Sequence, residues 1–272
     1  MSGPKPLTDS IALTQRRART QADAMFLHAA VADDLQDRAD MVNRTFNSAA
    51  VVSGFPNLWR KLMPNAHSVA DKDVLELGVG AHDLVIHTLA LHWANDPVGQ
   101  IIQCKRSLQK DGLFLAATFG GQTLHELRAC LGQAEIETSG GLSPRIAPMG
   151  ELRDLGGLLQ RAGFALPVAD VLPLTVNYRD LWHLMHDLRH MGEANALQER
   201  LRFPTHRRVF ERAAELYAQT YPTPEGGIAA TFEIVMLTGW APDESQPKPL
   251  RPGSAEARLA DALGTDENRL PD

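Results

Sequence analysis

Apolar residues recur at Leu27, Val31, Leu35 and Val42, the spacing of one helical face, and predict a helix over 21–45 with a charged opposite side. Residues 1–18 before it are polar and read as loose; Arg16, Arg17 and Arg19 read as the basic start of a surface helix. The short apolar run 49–53 (AAVVS) ends at Gly54 and predicts a buried strand. Pro56 suits a first helical turn, Leu58, Trp59 and Leu62 continue it, and Pro64 and Asn65 stop it. The run 83–91 (DLVIHTLAL) predicts a second strand, and Asn95, Asp96 and Pro97 a turn and helix start. Val98, Ile101, Ile102 and Leu108 then share one helical face. Asp111 and Gly112 predict a turn, and 113–119 a core strand ended by Gly120 and Gly121. Thr123 stands as a cap for a helix carrying Leu124, Leu127, Leu131 and Ala134. After a Gly/Pro-rich loop over 139–148, Leu152, Leu155, Leu159 and Ala162 predict a helix closed by Gly163. Residues 168–178 read as a strand, 180–220 as three helical stretches, and 231–238 (TFEIVMLT) as a final strand.

Strands that alternate with helices point to an α/β architecture with a mostly parallel sheet. The expected organisation is an N-terminal helical segment (1–48), an α/β domain (49–240) with a helical insertion at about 179–220, and a polar, Pro-rich tail (241–272). Composition narrows the function classes. The chain has 272 residues, 44% of them apolar, enough for a sizeable core. Its net charge of −6 argues against a non-specific nucleic-acid binder. Cys104 and Cys130 stand in no metal or redox spacing. No stretch reaches the ~18 apolar residues of a membrane span, so the expected location is cytoplasmic.

Two glycine loops compete for a phosphate- or nucleoside-binding role. Glu76, Gly78 and Gly80 follow an apolar stretch, as in the first loop of a Rossmann-like fold, where glycines let backbone amides approach a cofactor. The run after them is β-branched, however, and reads as a strand where that fold requires a helix. A tight turn into DLVIH is the stronger reading. The second loop, at Ser53 and Gly54, has strand, glycine and helix in the right order. Only 29 positions separate Gly54 from Asp83, and one βαβ unit takes about 30 residues. If this is the first loop, a strand and helix of the usual fold are shortened or missing.

Several blocks together resemble a known family: DLVIHTLALHWANDPVG (83–99), KDGLFLAATFGGQTLHELR (110–128), GGLSPRIAPMGELRDLGGLLQRAGF (140–164), LWHLMHDLRHMGEANAL (181–197) and ATFEIVMLTGWAP (230–242). The sequence resembles the S-adenosylmethionine-dependent methyltransferase-like proteins related to the malonyl-carrier methyltransferase of biotin synthesis, and among them the respiratory complex I assembly-factor (arginine hydroxylase) branch. The resemblance implies a Rossmann-like class I methyltransferase sheet, shortened near its first glycine loop. It places Gly54 in that loop and Gly78 and Gly80 in a turn. Ser53, Gly54, Asp71, Thr88 and Leu89 then become candidate contacts for S-adenosylmethionine, with Asp71 toward the adenine. The family's acidic residue in the first loop has no counterpart in this sequence, and its ribose-gripping acid falls in the missing stretch.

His92, Trp93, Tyr178 and Glu193 are the candidate substrate residues. His92 and Trp93 follow a central strand, where open α/β sheets bind ligands. Tyr178 and Glu193 border or lie in the helical insertion that covers the family's pocket. Arg145 suits a loop-ordering salt bridge. His183, His186 and His190 share a helical face, but no carboxylate or cysteine completes a metal set. The expected function is that of an S-adenosylmethionine-dependent methyltransferase-like protein with an unknown acceptor, small molecule or protein. The alternatives are a non-catalytic assembly or binding factor, or a protein-arginine hydroxylase-like factor, for a respiratory complex I subunit.

Overall fold

The computed structural model describes residues 5–247. Most of the tail expected at 241–272 lies outside them. Six strands form one sheet: β1 (Ala49–Ser53), β2 (His67–Ala70), β3 (His82–Thr88), β4 (Leu108–Phe119), β5 (Ala165–Tyr178) and β6 (Ile228–Trp240). Their order is β2-β1-β3-β4-β6-β5. The first four are parallel, and β6 runs antiparallel to both β4 and β5. This is the Rossmann-like arrangement with an antiparallel end. The chain turns from β1 outward to β2 and then crosses back to β3, so the switch point lies between β1 and β3.

The strands alternate side chains between two faces. Val51, Ile86, Leu113 and Leu115 face helices α2 (Phe26–Met41), α5 (His125–Ser139), α7 (Leu181–His190) and α8 (Arg207–Thr220). Ala50, Val52, Val85 and Phe114 face α4 (Pro97–Ser107) and α6 (Leu152–Ala162). The central strands are covered on both sides, which is why β3 reads as a continuous apolar run. Each fully buried Leu or Ile contributes about 1.5–3 kcal/mol. Pro167 and Pro173 are tolerated in β5 because it is an edge strand.

Local signals set several boundaries. Asp96 caps α4, accepting from the Gly99 amide at 2.8 Å, with Pro97 in the first turn. Gly163 ends α6 in the left-handed region, φ 79°. Asp83 accepts from the backbone amides of Asn47 and Ser48 at 2.6 and 3.0 Å and so fixes where β1 enters the sheet.

Other expectations need correction. Residues 21–45 hold a single 3₁₀ turn (Ala22–Ala24) and then the shorter α2. The stretch read as loose contains helix α1 (Ser10–Arg17), because Asp9 accepts from the Ala12 amide at 3.0 Å and caps it. Leu108 belongs to β4 rather than α4, and Asp111 turns within that strand at φ 57°. The short strand β2 was not foreseen. Strand β3 stops at Thr88, and a 3₁₀ turn (Leu91–Trp93) follows. Thr123 does not cap α5: its hydroxyl donates to the Glu233 carbonyl at 3.0 Å, and Leu124 takes the N-cap position in the left-handed region. Two helices, α7 and α8, occupy 180–220 where three were expected.

Candidate functional site

The ends of β1, β2, β3 and β4 lie at one edge of the sheet, where ligands bind in open α/β folds. Gly78 and Gly80 are far from forming a nucleoside loop. They lie in a turn, Gly80 at φ 61°, and strand β3 rather than a helix follows at His82. Gly54 does sit at the switch point, after β1 and before α3 (Pro56–Leu62).

The space over Gly54 is filled from within. Helix α1 is tied across this edge: the Asp9 amide donates to the Ala196 carbonyl at 2.9 Å, and Ala12 and Leu13 pack on Trp93, Ala196 and Leu197. Its last residue, Arg17, reaches into the sheet edge. The guanidinium pairs with both carboxylate oxygens of Asp71 at 2.8 and 2.9 Å and lies 5.5 Å over the Phe55 ring. A Cβ built on Gly54 would overlap that guanidinium. Both side chains of the pair are only 12% and 11% exposed. A bidentate pair this dry is strong and geometrically specific. Ser53 turns inward, its hydroxyl accepting from the Phe55 amide at 3.0 Å.

An S-adenosylmethionine-type cofactor does not fit these residues as they stand. Asp71, the residue expected to meet the adenine, is saturated by Arg17, and the backbone of Gly54, which the cofactor would approach, is covered by the same guanidinium. Thr88 donates to the Val52 carbonyl at 3.3 Å, and Leu89 is buried at φ 38°, a left-handed conformation uncommon outside glycine.

Behind this pair lies a buried polar group. Glu193 accepts from the Trp93 indole at 2.7 Å and is bonded to His92 Nε2 at 3.0 Å. Burial alone would raise the Glu193 carboxyl; His92, Arg17 and the Trp93 bond outweigh it and hold the group below the ordinary range. Gly192 beside it, at φ 85°, packs where a Cβ would press on Phe55 and Thr20 at 3.0 Å, so the loop requires glycine. His87 Nε2 faces the Gln100 Oε1 at 3.0 Å, because the Gln100 amide nitrogen donates to the Asp71 and Lys72 carbonyls. Nε2 therefore carries the proton, and Nδ1 is a buried acceptor without a partner among the described residues. Burial pushes both His87 and His28 down to about 4.

Toward β4 and β6 the same edge opens into a cavity of about 410 Å³. Trp93 and Glu193 line it; His92 packs just behind, 4.8 Å from the Phe119 ring. Tyr178, at the C-terminal end of β5, is not among the residues lining the cavity and donates to Asp187 at 2.8 Å. Arg145 binds Glu135 at 2.6 Å and orders its loop. In α7, His186 and His190 stack edge-on and His183 pairs with Asp180; no group of three or more metal-ligating side chains occurs among the described residues.

The structure thus brings together Ser53, Gly54, Asp71, Thr88, Leu89, His92, Trp93 and Glu193, and leaves Tyr178 outside. Sequence reasoning missed Arg17 and Gln100 at the first centre and Arg16, Arg19 and Arg189 at the cavity. The run Arg16, Arg17 and Arg19 was the available signal.

No protein-family model matches the chain. Curated proteins do. The arginine-hydroxylase NDUFAF5, mitochondrial, of Danio rerio is 37% identical over 222 residues, 82% of this chain and 69% of that protein. A malonyl-[acyl-carrier protein] O-methyltransferase of Laribacter hongkongensis is 34% identical over 185 residues, 67% of this chain and 60% of that protein. Among solved structures, a Haemonchus contortus phosphoethanolamine N-methyltransferase matches with a TM-score of 0.42 at 9% identity, over 78% of this chain and 52% of that one, a likeness too distant to speak to substrate. With 37% identity across most of both chains, this protein belongs to the NDUFAF5 arginine-hydroxylase family of methyltransferase-like proteins.

Proposed function

We propose that this chain is a binding and assembly factor for a respiratory-complex subunit, built on a methyltransferase-like scaffold whose nucleoside position is closed by its own arginine. The observation that carries this reading is the Arg17–Asp71 pair lying against Gly54. Methyl transfer needs the donor and acceptor aligned in one site. Here the donor's position is taken, the two acids that the family resemblance assigns to it have no counterpart, and Asp71 is engaged by Arg17. The open part of the edge remains available to a partner's side chain. The complex I connection rests on the family resemblance, and the cytoplasmic location is part of the proposal, the named NDUFAF5 relative being mitochondrial.

A second reading, protein-arginine hydroxylation, is favoured by the 37% identity to a protein named for that activity. One experiment tests both. The respiratory complex is purified from cells with and without the gene, and its subunits are weighed by mass spectrometry. The proposal expects less assembled complex without the gene and no subunit mass that depends on it. A gene-dependent oxygen on an arginine would establish the second reading, and a gene-dependent methyl group would overturn both.

A further inference from the structure

The cavity beside the closed position carries an assignment of its own. Its walls are apolar: Phe119, Leu124, Leu127, Met149, Met185 and Phe232 among others. Its volume, about 410 Å³, falls in the range of small-molecule sites. Its rim is basic. Arg16, Arg19 and Arg189 all line it, and none has an ion pair or side-chain hydrogen bond among the described residues. This is unusual for a chain with 33 acidic residues against 27 basic ones. The neighbouring arginines are ion-paired: Arg17 with Asp71, Arg145 with Glu135, and Arg200 with Asp9. Glu193, the acid in the lining, is already engaged by His92 and Trp93.

Arg16 shows the cost of this arrangement. Its Nε is buried without a partner among the described residues. Burial, then the charges of Arg19, Arg200 and Arg189, hold its guanidinium below the ordinary value. Like charges gathered at a partly dry rim repel one another, and an anion placed among them relieves that repulsion. An apolar wall next to such a rim selects an anion that carries an apolar body.

We propose that this cavity binds an amphiphilic anion, its carboxylate or phosphate group held by Arg16, Arg19 and Arg189 and its apolar chain laid on Phe119, Leu124, Met185 and Phe232. The site does not involve the Gly54 position and stands whether or not the protein acts as an assembly factor.

Isothermal titration with decanoate, decyl phosphate, 1-decanol and decyltrimethylammonium, below their micelle concentrations, tests this on the full chain. Decanoate or decyl phosphate binds saturably, the comparison of the two identifying the head group, while the alcohol binds at least about tenfold more weakly and the cation does not bind. Arg16→Gln and Arg189→Gln each weaken the anion by about tenfold. Ala194→Phe, which fills the cavity from its lining loop, abolishes binding; circular dichroism confirms that the variants are folded. Equal binding of all four amphiphiles, anion binding unchanged in the arginine variants, or no binding of either anion to the folded protein would each overturn the assignment.

Discussion

Two halves of one sheet edge treat arginine in opposite ways. At β1 and β2, Arg17 is nearly buried, doubly bonded to Asp71 and packed on Phe55. A few ångströms along the same helix end, Arg16 and Arg19, with Arg189 from α7, rim an open cavity and pair with nothing among the described residues. The first arrangement satisfies its charge internally and removes a ligand site. The second leaves charge unsatisfied and creates one. A fold that places ligands at its strand ends can therefore keep the edge and move the site along it.

Substitutions at the two halves should separate them sharply. Arg17→Ala leaves the Asp71 carboxylate nearly buried without its partner, and chemical denaturation should show a loss of about 3–5 kcal/mol. The double substitution Arg17→Met with Asp71→Leu should lose much less, since no bare charge remains. Glu193→Ala strands the His92 ring and the Trp93 indole at the boundary between the halves, with an expected cost of about 2–3 kcal/mol and a matching fall in Tm. Arg189→Gln, at the open half, should change stability by less than about 0.5 kcal/mol in either direction. A large loss there would mean that its charge is satisfied after all.

The pH dependence between about 6.5 and 4 probes chiefly the closed half. His28 and His87 are buried neutral, with native values near 4 against an ordinary 6.5. Between those values the unfolded chain takes up protons that the native protein refuses. Unfolding free energy should therefore fall as pH drops from about 6.5 toward 4, by about 2–3 kcal/mol for each fully protected histidine. A flat profile through that window would place both rings in contact with water.

Much of the fold was legible because it rests on local patterns. The buried runs at 49–53, 83–91 and 113–119 announced β1, β3 and β4, the second overrunning its strand by three residues, and Pro97 and Gly163 marked helix ends. Strand β2 was hidden because its four residues include the polar His67 and Ser68, and only pairing with β1 makes them a strand. Leu108 kept helical spacing with α4, yet its register with His82 draws it into β4. The candidate site was half legible. Gly54, Asp71, His92, Trp93 and Glu193 do converge, but Arg17 meets Asp71 across 54 positions of sequence, and nothing local shows that a basic residue in a polar N-terminal stretch will cover the first loop. Arg189 carries no local signal; it reaches the cavity only because α7 docks beside the 3₁₀ turn at Ala22–Ala24.

The most direct test of the closed nucleoside position is calorimetric titration of the unmodified protein with S-adenosylhomocysteine and S-adenosylmethionine. With Arg17 seated on Asp71, no saturable heat should appear up to millimolar ligand, and Tm should not move. Saturable micromolar binding of either compound by the unmodified chain would show that the arginine does not hold that space.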